Sequence, residues 1–105
     1  MATISFGNNN KLNIPVVNMT ATTATIQPNT LYVWGEVATL DLQLAEGVTN
    51  AYNEYMVQFT SGATATQLVL PNTIVWQSEP TINANTTYQL SILNNLAVIG
   101  EWSNE

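Results

Sequence analysis

The sequence predicts an all-β domain, an antiparallel β-sandwich of jelly-roll-like character with no substantial helix, and three observations carry that expectation. Apolar side chains alternate strictly along several stretches: Tyr55, Val57 and Phe59; Leu40, Leu42 and Leu44; Tyr88, Leu90 and Ile92. A period of two marks a strand with one face against a core, because successive side chains leave a strand on opposite sides. The stretches are punctuated by Ser61-Gly62-Ala63, Pro71-Asn72 and Asn94-Asn95, residue types that favour turns. No segment sustains a 3.6-residue apolar rhythm.

Taken in order, residues 2–6 are expected as a short strand, closed by an Asn-rich turn at 7–10. Leu12, Ile14 and Val16 alternate next, but Pro15 lacks an amide hydrogen, which places this strand at a sheet edge or interrupts it. Residues 18–30 are rich in Thr, Ala and Asn and offer little to bury except Ile26. Residues 1–27 are therefore read as an N-terminal arm or edge hairpin, packed on another subunit or on its own sheet, and residues 28–105 as the compact sandwich module.

Within the module, Tyr32 and Trp34 share one side of a strand and Leu31 and Val33 the other, so both faces are apolar. Leu40, Leu42 and Leu44 alternate with Thr39, Asp41 and Gln43, a strand with one wet side, and a hairpin is expected around residues 35–38. Residues 53–70 read as a central hairpin about the Ser-Gly turn. Residues 74–76 form a short strand, and a loop with Pro80 comes next. Asn94-Asn95 is the strongest turn signal, because Asn tolerates the left-handed backbone of a two-residue loop. That loop pairs Leu93 with Leu96, Ile92 with Ala97 and Leu90 with Ile99. One face then carries Tyr88, Leu90, Ile92, Ala97 and Ile99, and the other Leu93, Leu96, Val98 and Trp102. A sheet apolar on both faces has to be covered twice, by a second sheet or by another subunit.

Composition narrows the function classes. A chain of 105 residues is one domain, and folding at this size buries roughly 60 to 65% of the surface the unfolded chain exposes. Small domains add disulfides, a metal or partner subunits; with no Cys and no His, disulfides are excluded and structural zinc is disfavoured. Subunit association is the expected remedy. Charged residues make up 8% of the chain and the net charge is -6, so Asn, Thr, Gln and Ser must meet the water. One Lys and no Arg cannot neutralise a phosphate backbone, which argues against nucleic acid, and the same shortage argues against anionic lipid. No apolar run approaches a membrane-spanning helix, and residues 1–30 lack the pattern of a signal peptide, so Met1 is read as a true start. The triplets Asn18-Met19-Thr20 and Asn85-Thr86-Thr87 would accept glycans only in a eukaryotic secretory pathway.

Catalytic candidates are few. Neither a Ser-His nor a Cys-His pair can be built, Lys11 sits in a polar turn, and the carboxylate choices, Asp41 with Glu36, Glu54, Glu79 or Glu101, show no spacing that singles out a pair. No calcium loop or phosphate loop is present. No catalytic residue, metal ligand or cofactor is expected. Binding is more open, because three Trp and four Tyr in so small a chain could form an interface or a sugar-stacking platform. The candidate contact residues are Trp34, Tyr52, Trp76, Leu93, Leu96 and Trp102, with Tyr52 and Trp76 the aromatics expected to be exposed.

The series YVWGEVATLDLQL, NEYMVQFTSGATATQLVLP, IVW and PTINANTTYQLSILNNLAVIGEW resembles a C-terminal module on structural proteins of tailed bacteriophages of gut bacteria, crAss-like phages included. The shared pattern is an aromatic-rich strand, E-Y-x-x-Q-F-T-S-G, T-x-L-x-L-P, a short V/I-x-W and a terminal Y-x-x-S-I-x-N-x-L-A-V-x-x-W, and it spans residues 28–102. The chain departs from it after Trp76, where Gln77-Ser78-Glu79 replaces an Asn-Gly or Gly-Gly turn, and in standing on a short chain where the module usually ends a long one. The resemblance implies a non-enzymatic virion component: a head-fibre, decoration or tail-fibre subunit, a homo-oligomer with three copies favoured, bound to other capsid or fibre proteins. The alternative is a receptor- or carbohydrate-binding module whose aromatics stack on host-surface glycans.

Overall fold

The computed structural model describes residues 13–103, and within them nine strands and no helix form two sheets. The strands are β1 (Val16–Met19), β2 (Thr23–Ile26), β3 (Leu31–Glu36), β4 (Thr39–Leu44), β5 (Glu54–Thr60), β6 (Gln67–Val69), β7 (Val75–Trp76), β8 (Thr86–Leu93) and β9 (Leu96–Ser103). The larger sheet runs β1-β3-β5-β8-β9-β7 and the smaller β2-β4-β6. The first six strands thus alternate between sheets, and each of the first four pairs in parallel with the strand two places on: β1 with β3, β3 with β5, β2 with β4 and β4 with β6. The chain rises through three stacked arches, β1 to β2, β3 to β4 and β5 to β6. Antiparallel β8 and β9 and the short parallel β7 then complete the larger sheet.

The all-β class agrees with the sequence reading, but antiparallel pairing holds only for β5 with β8 and β8 with β9. The hairpins expected at residues 35–38 and 61–63 are arches instead, with their two strands in different sheets. Alternation tells which side chains are buried, and a strand facing its predecessor across a core satisfies it as well as one lying beside it. The burial assignments therefore stand: Tyr55, Val57 and Phe59 on β5 and Leu40 and Leu42 on β4 are all buried. The Asn94-Asn95 hairpin has the expected register, with both residues at positive φ (53° and 64°), as a type I′ turn requires.

Residues 2–6, the turn at 7–10 and Lys11 lie outside the described residues. The rest of the expected arm belongs to the body, because β1 and β2 are the edge strands of the two sheets and the Ile26 side chain is fully buried in the common core. Pro15 directly precedes edge strand β1, and its carbonyl accepts from Leu31 N at 2.9 Å. The boundary expected at Pro28 therefore does not separate this first arch from β3 and the later strands.

Tyr32, Trp34, Tyr55, Val57, Phe59, Tyr88, Leu90 and Ile92 line the inner face of the larger sheet, against Ile26, Leu40 and Leu42 of the smaller. Phe59 and Tyr88 stack with ring centroids 5.3 Å apart. The polar tips of the buried aromatics end on the connections between strands. Trp34 Nε1 donates to Ala21 O (2.7 Å) between β1 and β2, and Tyr32 Oη accepts from Gln27 N (2.9 Å) after β2. Tyr55 Oη donates to Ala45 O after β4, and Tyr88 Oη accepts from Asn83 N (2.7 Å) in the loop before β8. Between β5 and β6 a buried Ser61-Thr66 pair does the same work: Ser61 Oγ accepts from Thr66 N (3.0 Å), and Thr66 Oγ1 donates to Val37 O of the neighbouring arch. No buried side-chain polar atom among the described residues lacks a partner.

If the first arch is part of the body, Ile26→Ala should cost about 2–5 kcal/mol, the range for truncating a buried aliphatic side chain, whereas Val16→Ala on the exposed side of β1 should stay within about 0.5 kcal/mol. Urea unfolding read by circular dichroism checks this; equal, small effects would detach the arch from the core.

Candidate interaction surface

Residues paired across strands share a face, so the registers sort the outer side of the larger sheet into rows. One row runs across five strands through Val16, Leu31, Met56, Ser91 and Val98. Beside it lie Glu54, Leu93, Leu96 and Val75. On its other side come Val33, Gln58, Gln89 and Gly100, and then Glu36, Thr60, Thr87 and Trp102. Val16, Val75, Leu93, Leu96, Val98 and Trp102 all remain exposed, Val16 by 58% and Val98 by 47%. An open hollow of about 390 Å³ lies on this face, bordered by Leu31, Met56, Ser91, Val98 and Gly100. Gly100 adds no side chain to it, and a Cβ there would meet no atom within 4 Å.

The polar side chains of the face largely satisfy one another. Gln89 Nε2 donates to Gln58 Oε1 (2.9 Å), Thr60 and Thr87 join hydroxyls at 3.0 Å, and Ser91 Oγ donates to Glu54 Oε2. Polar groups already paired lose less when water is removed than unpaired ones. The outer side of the smaller sheet is different: Thr23, Thr25, Asp41, Gln43 and Gln67 face outward, with Val69 the apolar exception. The two outer faces of one molecule thus differ in kind, one wet and one greasy.

Three of the six candidate contact residues, Leu93, Leu96 and Trp102, lie on the apolar face, the leucines directly paired and Trp102 toward the far end of β9. Trp34 does not reach the surface, being 2% exposed on the inner side of β3, where alternation puts it with Tyr32. Trp76 sits beside Ala97 at the sheet edge, half-buried against the core, in a hollow of about 100 Å³ with Leu68, Glu79, Pro80 and Ile82. Tyr52 is 82% exposed and, with Asn50, Ala51 and Asn94, lines an open hollow of about 370 Å³. Its loop is braced by Asn53, which accepts from Val48 N (2.8 Å) and donates to Val48 O (2.9 Å). Gly47 is required beside it, because a Cβ there would fall 2.6 Å from Asn53 Cγ. Sequence reasoning does not single out Val16, Leu31, Met56 or Val75; the doubly apolar β3 is the one signal that points toward them.

The carboxylates considered for catalysis are dispersed. Asp41 and Glu54 lie on opposite outer faces, and among the described residues no cluster of three His, Cys, Asp or Glu could hold a metal ion. No family model, curated protein or solved structure matches the chain.

Trp34→Phe keeps an aromatic ring but removes the indole N–H, orphaning the Ala21 carbonyl and leaving part of the buried indole's volume empty, and should cost at least about 1–3 kcal/mol. Trp102→Phe should leave stability within about 0.5 kcal/mol while removing much of the acrylamide-quenchable tryptophan fluorescence of the dilute protein. Equal quenching of all three tryptophans would contradict the burial of Trp34.

Proposed function

We propose that this chain is a structural subunit of a tailed bacteriophage virion, a head-fibre, decoration or tail-fibre component that works by assembly and not as an enzyme. The observation that carries the assembly half of this reading is the uncovered apolar outer face of the larger sheet, in a chain whose other outer face is polar. Exposed apolar patches of this extent mark surfaces that another macromolecule covers. The virion half rests on the resemblance over residues 28–102, which also implies three copies and attachment to capsid or fibre proteins. Scarcity of charge agrees with it: among the described residues no cation is available for nucleic acid or anionic lipid. The module is a two-layer β structure that needs no cofactor for this role.

A carbohydrate-binding role is the second reading, and Tyr52 is the observation that favours it, since an exposed ring flanked by Asn50 and Asn94 suits stacking on a sugar with amides for its hydroxyls. It ranks lower because the tryptophans occupy three separate environments and line no common groove.

In phage particles banded on a density gradient, the chain should appear at a fixed ratio to the major capsid protein by quantitative mass spectrometry; its recovery only in the free-protein fraction would refute the virion reading. On a glycan array the purified chain should give no signal. Binding abolished by Tyr52→Ala would install the second reading instead.

A further inference from the structure

We infer that the apolar outer face of the larger sheet is a homomeric interface, and that what covers it is the same face of another copy of this chain. The inference rests on the assembly reading and deepens it by naming surface and partner.

Charge selects the occupant. Asp41, Glu46, Glu79 and Glu101 are distributed over loops and the sides away from this face, and the registers leave its two carboxylates at opposite ends, Glu54 beside Leu93 and Glu36 beside Thr60, with none in the two rows between. Glu54 already accepts from Ser91 Oγ. A basic partner would be recognised through carboxylates, and the middle rows of this face hold none. Two copies with a net charge of -6 each repel, and they meet with little repulsion across rows that carry none of that charge. The partner that fits is therefore apolar and almost uncharged at the point of contact, a description this face itself meets.

Shape and area agree. Val98, Leu96 and Leu93 stand out beside the open hollow over Gly100, so one face presents both a projection and a recess, as a surface that pairs with itself must. Five strands at about 4.8 Å spacing and three to four rows at about 6.8 Å give roughly 500 Å² per copy, or about 1,000 Å² per contact, near the lower limit for a specific interface. An oligomer held by this contact dissociates on dilution. In a two-fold pair that area is a single contact; in the three-sided prism that the resemblance implies, each face meets two neighbours and the same area is divided between them.

The test is sedimentation velocity over a concentration series on the wild type, Val98→Glu and Val48→Glu. Val98 and Val48 are both exposed in the protomer, one on the face and one in the loop before Tyr52, so both variants should fold, and melting of the dilute proteins checks this. The expected result is a concentration-dependent oligomer for the wild type and Val48→Glu, its loss in Val98→Glu, and tighter association as salt rises, because screening weakens the repulsion between like-charged copies. An oligomer that survives Val98→Glu overturns the choice of face while leaving assembly standing. A wild type that stays monomeric at all concentrations overturns the homomeric partner, and the particle-composition measurement then decides separately whether the chain is a virion component.

Discussion

The structure depends on one recurring constraint: every time the chain crosses from one sheet to the other it carries backbone polar groups over the edge of the core, and those groups must find partners. A hairpin satisfies its turn largely by its own ladder. An arch cannot, because its two strands do not pair with each other. Here the partners come from inside. The indole of Trp34 and the hydroxyls of Tyr32 and Tyr55 reach from the core to Ala21, Gln27 and Ala45 at three crossings, Ser61 and Thr66 serve the β5–β6 crossing and reach Val37 in the β3–β4 crossing, and Tyr88 does the same for Asn83 in the loop before β8. Each aromatic supplies apolar area in the middle and a hydrogen bond at the rim, a combination that suits Tyr and Trp where one end is dry and the other meets backbone.

This arrangement also explains the distribution of aromatics. The tryptophan and tyrosines that anchor arches are unavailable for ligands, and the exposed rings, Tyr52 and Trp102, anchor none. Surface chemistry is accordingly left to aliphatic side chains on the outer face of the larger sheet. Parallel stacking of β1, β3 and β5 sets that pattern, since equivalent positions of successive strands fall in one row: Val16, Leu31 and Met56 are neighbours because the arches repeat in register.

The chain has no Cys and no His, and among its described residues no cluster of three Asp or Glu could hold a metal ion. Its resources are apolar area, hydrogen-bonded amides and a fold that presents one greasy face and one wet face. The proposed assembly role draws on those resources, with the apolar face as the surface to be covered.

Much was legible in the sequence by itself. The all-β class, the inward positions of β4, β5 and β8, the importance of Ile26 in an otherwise thin segment, the Asn94-Asn95 hairpin with its register, and an apolar reverse side on β8 and β9 all derive from period-two alternation and local turn chemistry. Those signals are local: they depend on a residue and its neighbours within a few positions. Tertiary structure alone decided which strand lies beside which. Whether residues 61–66 fold back as a hairpin or cross as an arch turns on a hydroxyl pair meeting Val37, 29 residues upstream of Thr66, and on Tyr and Trp tips reaching loops that alternation does not point to. The candidate surface was half visible for the same reason, because Leu93, Leu96 and Trp102 sit on a hairpin the sequence specifies, while Val16, Leu31, Met56 and Val75 join them only through pairing between strands distant along the chain.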